Sequence, residues 1–231
     1  MVERAAASAT PFIVAIDGPA GAGKSSTARA VADALGFAYL DSGALYRCVA
    51  LAALRNGVAT DDDAALGKLA GSIRIRQNDG GRFELDGEDV TDRIRTPEVS
   101  QAASRSSACP SVRQALVSIQ RQAVLLPGTV AEGRDIGTVI FPNADLKVFL
   151  DAEPKERAHR RALELAAKAA PPEAIERVGR EMEERDLRDR TRAIAPLASA
   201  DDAMVIDTTN LSLEDVVARI VGEVAKRRNP K

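Results

Sequence analysis

Residues 18–25, Gly-Pro-Ala-Gly-Ala-Gly-Lys-Ser, fit the pattern G-x-x-x-x-G-K-[ST]. Glycines there let the backbone close around phosphate oxygens, with successive N–H groups pointing inward. The ammonium of Lys24 suits the β- and γ-phosphates of a nucleoside triphosphate, and the Ser25 hydroxyl suits Mg²⁺. Gly18, Pro19, Ala20, Gly21, Ala22, Gly23, Lys24, Ser25 and Ser26 are therefore the expected triphosphate cradle. Further along are Arg47, Arg113, Arg134, Arg157, Arg160, Arg161, Arg185, Arg188, Arg190 and Arg192, more cations than a solvated surface requires. Phosphoryl transfer spreads charge over the equatorial oxygens, and arginine meets it with a planar fork and a permanent charge. Glu132-Gly133-Arg134-Asp135 adds carboxylates next to one of these arginines. Asp151 is placed to hold Mg²⁺ through water, to cap the next helix, or to do both. His159, the single histidine, reads as a surface residue among arginines, and no Ser–His–Asp or Cys–His arrangement can be assembled.

These groups need elements to aim them. Phe12 to Ile16 reads as a buried strand feeding the loop, and a helix follows over roughly 24–35, stopped by Gly36. A short strand at Ala38-Tyr39-Leu40 leads to Asp41-Ser42-Gly43, a helix start, and to an amphipathic helix from Ala44 to about Arg55. A further helix begins at Asp61-Asp62-Asp63. Over 72–95 the period changes: Ile73, Ile75, Phe83, Leu85 and Val90 alternate with charged residues between turn signals, predicting two or three antiparallel strands. Helices are expected from Thr96-Pro97 to Ser106 and from Val112 to about Leu126. Strands are expected at Thr129-Val130-Ala131, at 145–150 and at Met204-Val205-Ile206. Helices run from Glu153 to about Ala169, from about Glu173 to Asp189, and from Ser212 to about Lys226. Five apolar strands alternating with helices predict a parallel sheet covered on both faces, with ligands at the strand C-termini.

Arg157, Arg160 and Arg161 share one helix face at i, i+3 and i+4, as do Arg185, Arg188, Asp189 and Arg192 on the next helix. Two arginine-rich helices around a Pro171-Pro172 break read as a lid over the phosphates.

Composition sets the bounds. The chain has 231 residues, enough for a core without disulfide staples. Its two cysteines, Cys48 and Cys109, match no metal or redox spacing, which favours a cytoplasmic setting. A formal charge of −2 and 3% aromatic residues argue against a nucleic-acid binder. No stretch approaches a membrane span, and residues 1–10 read as a mobile tail.

The stretches IDGPAGAGKS (16–25), LDSGALYR (40–47), LDGEDVTDRIRTPEVSQAAS (85–104), EGRDIGTVIFPNADLKVFLDA (132–152), ERAHRR (156–161) and ERDLRDRTRAIAPL (184–197) together resemble the bacterial cytidylate kinases, nucleoside monophosphate kinases. The resemblance covers nearly the whole chain after residue 11, in order. It implies a P-loop NTPase core of α/β class with a five-stranded parallel sheet flanked by helices. The core would span 11–40, 110–154 and 195–231. A monophosphate-binding region would span 41–109, with the β insert at 72–95, and a helical lid would span 155–194.

The activity implied is transfer of the γ-phosphoryl of ATP to CMP or dCMP, with Mg²⁺. Ser42, Arg47, Arg134 and Arg192 match positions that bind the acceptor, the arginines mainly at its phosphate. Ser104, Arg113 and Asp135 match those that read cytosine, and Arg185 and Asp189 match the pair facing the sugar. Lys24, Arg134, Arg192 and a lid arginine are expected at the transferring phosphoryl; Arg160 is the first choice, with Arg157 and Arg161 left open. Cytosine carries an N4 amino donor where uracil carries a carbonyl, so a carboxylate such as Asp135 would tell them apart. A monomer is expected, acting on ATP and CMP or dCMP, with no nucleic acid or membrane partner. Two rivals stay open: a small-molecule kinase for a substrate such as shikimate or gluconate, and a nucleotide-gated switch, although no Asn-Lys-x-Asp guanine reader is present.

Overall fold

A computed structural model describes residues 10–78, 81–166 and 171–229. The chain opens with β1 (Phe12–Asp17), α1 (Lys24–Leu35), β2 (Ala38–Asp41), α2 (Ser42–Arg55) and α3 (Asp63–Ser72). The start and stop signals act as expected. Gly36 ends α1 in the left-handed conformation, and the Asp41 and Asp62 carboxylates accept from Ala44 N–H and Ala65 N–H as N-caps. The change of period after residue 72 produces β3 (Ile75–Gln77), β4 (Phe83–Leu85) and β5 (Glu88–Asp89), a three-stranded antiparallel sheet. Its apolar side is not solvent-facing. Phe83, Leu85, Val90 and Ile94 are buried in the same core as α2 and α3, so the insert is seated on the helices that follow β2.

Next come α4 (Pro97–Ser106), α5 (Pro110–Gln122), β6 (Gly128–Gly133) and β7 (Leu146–Asp151). α5 stops at Gln122 rather than near Leu126. The residue before Pro127 is pushed out of helical geometry, and Leu125 N–H turns to the Thr129 hydroxyl at 3.0 Å. The chain closes with α6 (Pro154–Ala166), α7 (Pro172–Thr191), β8 (Met204–Asp207) and α8 (Leu213–Arg228). The expected end of α6 near Ala169 and the expected tail up to residue 9 lie outside the described residues.

The five main strands are all parallel, in the order β2-β6-β1-β7-β8. One face is covered by α1 and α8 over Val14, Ile16, Val130, Val148 and Leu150. The other is covered by α2 to α5 over Ala15, Leu40 and Ala131. Because β1 lies between β6 and β7, their C-terminal ends converge at the start of the phosphate loop. In register, Ile16 stands beside Glu132, and Asp17 stands beside Gly133 and Phe149. Among the described residues no helix is long and apolar enough to cross a membrane.

Candidate active site

Packing leaves the loop after β1 little freedom. A Cβ on Gly18 (φ 149°) would sit 2.0 Å from the Leu150 carbonyl oxygen of β7. One on Gly21 (φ 73°) would meet the Arg157 carbonyl oxygen at 2.7 Å. The first turn of α1 is preceded by Gly23 with no side-chain cap, so its N–H groups are left for an anion. Lys24 is 6% exposed and donates to the Pro19 carbonyl at 2.6 Å. Burial first, then the Arg134 guanidinium, pushes its ammonium down to about 7, while Glu132 and Asp186 oppose the shift.

A cleft of about 170 Å³ opens above the loop. It brings Lys24, Ser25 and Ser26 of the loop together with Ser42 and Arg47 of α2, Arg134 and Asp135 after β6, and Arg113 of α5. Arg185, Asp189 and Arg192 close it from α7 and its end. Gly18, Pro19 and Ala22 form the back of the loop and do not line the cleft. The cations are ordered by carboxylates. Asp189 takes Arg134 Nε at 3.1 Å and Arg192 Nη1 at 3.6 Å. Burial works against its charge, but Arg134, Arg185 and Arg192 together hold its carboxyl below the usual range. Asp135 pairs with Arg113 and lies 3.5 Å from Arg192 Nη2. Arg113 also donates to the Ser107 carbonyl at 3.0 Å and lies over the Tyr46 ring. Ser42 donates to the Glu132 carbonyl at 2.6 Å, tying α2 to β6. Arg47 makes no ion pair among the described residues, and Arg185 Nε, 3.9 Å from the Asp189 carboxylate, makes no hydrogen bond, so both side chains have donors to offer an anionic ligand.

Three expected site residues are placed elsewhere. Arg160 points away from the cleft: it pairs with Glu156 at 2.8 Å and donates to the Thr208 and Thr209 carbonyls at 2.8 and 3.2 Å. The α6 arginine that lines the cleft is Arg161, one position round the helix. Asp151 turns to its own following backbone, accepting from Ala152 N–H at 2.9 Å, and is not part of the cleft wall. Ser104 opens into a neighbouring cavity of about 250 Å³ between α4, α6 and α7, where it accepts from Arg188. His159 is exposed.

Other residues matter more than their sequence context suggested. Asp17 is buried and accepts from Ile136 N–H at 2.8 Å and Gly137 N–H at 2.7 Å, fixing the turn that carries Arg134 and Asp135. Desolvation pushes its carboxyl up to about 6, against the pull of those two N–H groups. Glu132, also buried, accepts from the Tyr39 hydroxyl at 2.6 Å and lines the cleft beside Ser25. Burial, then the Asp41 carboxylate, holds it above the usual carboxyl range. The Ala20 peptide is gripped on both sides: Asp186 of α7 accepts from its N–H at 3.2 Å, Arg157 of α6 donates to its carbonyl at 3.0 Å, and the two side chains pair with each other. Ala162, Val178 and Met182 pack a small core between the lid helices against the same Ala20. One signal was available: Asp17, Asp41 and Glu132 each stand at or one residue before the end of a sheet strand. The Ala20 grip joins residues more than a hundred positions apart and has no local pattern.

The cleft's oxygen donors suit a hard divalent cation. Ser25 offers a hydroxyl and Glu132 a carboxylate beside the lysine, and Mg²⁺ takes one or two such groups plus phosphate oxygens.

A sequence model described as Cytidylate kinase matches residues 14–226. Proteins named cytidylate kinase from Solibacter usitatus (strain Ellin6076) and Shigella sonnei (strain Ss046) are 51% and 50% identical to the chain. They align over 93% and 90% of it and over 93% and 92% of their own lengths. A solved shikimate kinase from Acinetobacter baumannii, in complex with shikimate, superposes with a TM-score of 0.44 at 17% identity, over 96% of this chain and 97% of its own.

Proposed function

The chain belongs to the cytidylate kinase family, and as an ATP-dependent (d)CMP kinase of that family we propose that it divides its cleft into a donor half and an acceptor half. The donor half is the phosphate loop, Gly18 to Ser26. The N–H groups that face the cleft, from Gly21 and from Gly23 to Ser26 at the α1 N-terminus, receive the ATP phosphates. Lys24 follows the phosphoryl group as charge moves toward the acceptor, and the anion restores to it the proton that burial disfavours. The acceptor half belongs to Arg47, Arg134 and Arg192, which take the phosphate of CMP or dCMP, with Ser42 beside them. Arg113 and Asp135, joined by Ser104, read the cytosine, and Arg185 and Asp189 face the sugar. Of the expected catalytic set, Lys24, Arg134 and Arg192 remain, and Arg161 replaces Arg160 as the lid contribution.

The attacking atom is a phosphate oxygen that is already anionic at neutral pH, so no general base is required. Catalysis is positioning and charge neutralisation in a site from which water is expelled. A bound Mg²⁺ would supply positive charge that neutralises the donor phosphates. Ser25 and Glu132 are the residues that would hold it, in place of the Ser25–Asp151 pair. The lid, α6 and α7, closes over the phosphates and excludes water. A monomer in the cytoplasm, without nucleic-acid partners, fits the acidic composition and the charged outer positions of the insert.

One observation carries this reading: arginines from α2, α5, the β6 turn and α7 converge on the loop, with a buried Asp135–Arg113 pair in the same cleft. A phosphate loop alone needs none of them. ADP release followed across CMP, dCMP, UMP, AMP and shikimate tests it. CMP and dCMP are expected to be the best acceptors, and a CMP rate no higher than that of UMP or shikimate would overturn the assignment.

A further inference from the structure

Ser104 is 6% exposed, and the direction left open to it is occupied. Its hydroxyl oxygen accepts from a guanidinium N–H of Arg188, across the 250 Å³ cavity that separates α4 from α7. Among the described residues this is the one hydrogen bond or ion pair between those two helices. Meanwhile Arg113 and Asp135 line the other cavity. The three residues assigned to a single base are thus divided between two cavities, and Arg188 holds the one that is set apart.

We propose that Arg188 is a specificity residue that stands in for the acceptor base. It fills the Ser104 acceptor site with an N–H donor until the exocyclic amino group of a cytosine nucleotide takes its place, which also frees α7 from α4. The inference rests on the base-contacting role of Ser104. The exchange is like for like. A guanidinium N–H and the cytosine N4–H are both donors, and Ser104 is the acceptor for each. Uracil presents a carbonyl at that position. It can take the Ser104 proton but cannot compete for the lone pair that Arg188 occupies. The latch therefore responds to an amino-bearing pyrimidine and not to its keto counterpart. It adds to the discrimination made by Asp135, because the wrong base leaves α7 tethered.

Competition for a site lowers apparent affinity by the fraction of protein in which the site is free. Removing the competitor therefore tightens binding, whereas loss of a structural contact would weaken it. Calorimetric titration of the full chain with CMP and with UMP, in the absence of ATP, tests this on Arg188→Met, Arg188→Lys, Ser104→Ala and the Arg188→Met/Ser104→Ala double variant. Urea midpoints confirm that each is folded. Arg188→Met is expected to lower the Kd for CMP by about three- to tenfold, the scale of a partly exposed charge-assisted hydrogen bond, and to leave UMP unchanged. Arg188→Lys should fall between Met and the parent. In the Ser104→Ala background the effect of Arg188→Met should vanish. Weaker or unchanged CMP binding in Arg188→Met, equal tightening for UMP, or tightening that persists without Ser104 would each overturn the latch. Should Ser104→Ala leave CMP affinity unaltered, the base-contacting role of Ser104 falls and the latch falls with it. Should Ser104→Ala weaken CMP while Arg188→Met fails to tighten it, the latch alone is lost.

Discussion

Replacing Asp135 by Asn asks whether a buried carboxylate reads the acceptor base. Asp135 is 5% exposed, pairs with Arg113, and lies 3.5 Å from Arg192. Asparagine keeps the shape and one acceptor oxygen but presents an NH₂ where the second oxygen was. That group opposes either the Arg113 guanidinium or the cytosine N4 amino group, donor against donor. A hydrogen bond to a charged partner contributes about 1.5–3 kcal/mol, so kcat/KM for CMP should fall roughly 10- to 150-fold. UMP gains nothing from the carboxylate and should lose much less, so the CMP-to-UMP ratio should shrink by about tenfold or more. The same change leaves Arg113 buried with a weakened partner. Breaking a buried pair outright costs about 3–5 kcal/mol, and asparagine, which keeps one acceptor, should lose part of that. Coupled ADP release with both acceptors measures the ratio, and urea unfolding measures the stability loss independently. A variant with reduced stability and an unchanged CMP-to-UMP ratio would show that Asp135 is a structural partner of Arg113 and nothing more.

Lys24→Ala should cut phosphoryl transfer by at least about a hundredfold, the scale of one lost transition-state donor. Its urea midpoint should hold or rise, because burial already disfavours this ammonium; preserved turnover would refute the loop assignment. Asp17 gives a pH dependence with a defined sign. Its carboxyl, ordinarily near 3.8, is raised to about 6, so between those values the folded protein binds more protons than the unfolded chain. This contribution to stability is full below pH 3.8 and is lost as pH rises through 6, by about 3 kcal/mol in total. In Asp17→Asn the slope of urea midpoints taken between pH 4 and 7 should become shallower, with what remains due to groups such as Glu132, and an identical slope in both proteins would contradict it. Gly18→Ala places a Cβ 2.0 Å from a backbone oxygen of β7, where no flexible side chain can yield. A loss of about 3 kcal/mol or more is expected by the same unfolding measurement.

The elements were readable because their signals are local. Asp41, Gly36 and the alternation from Ile75 to Val90 each act within a few residues of themselves, and strands and helices followed. The arginines were readable as a set but not individually. Arg160 and Arg161 sit side by side on one helix, and choosing between them depends on Thr208 and Thr209, nearly fifty residues later, which capture Arg160 with their carbonyls. Asp151 could be read as holding Mg²⁺ through water, as capping the next helix, or as both. Its nearest donor turned out to be the very next peptide N–H, a distinction that only the local backbone path decides. Glu132 was visible as part of a motif. Its place beside Ser25 follows from the register of β6 against β1, and register is a long-range property.

The grip on the Ala20 peptide has a consequence for how this chain can be recombined. Arg157 and Asp186 each spend a hydrogen bond on the phosphate loop and are nearly buried in doing so, while among the described residues α7 meets α4 through one side-chain bond. Loop and lid therefore form one exchangeable unit, and the base-reading helices form another. Transplanting α6 and α7 from a relative would succeed where the incoming helices carry both members of the Arg157–Asp186 pair, because any non-proline residue at position 20 offers the N–H and carbonyl that they hold. A lid lacking one member would leave the other buried and unpaired against the loop. The acceptor-side helices meet the lid at the Ser104–Arg188 pair and the sheet side at Ser42 with the Glu132 carbonyl and at Arg113 with Asp135, so a chain of this architecture would change its base by altering those contacts together while the Ala20 grip and its phosphate chemistry stay in place.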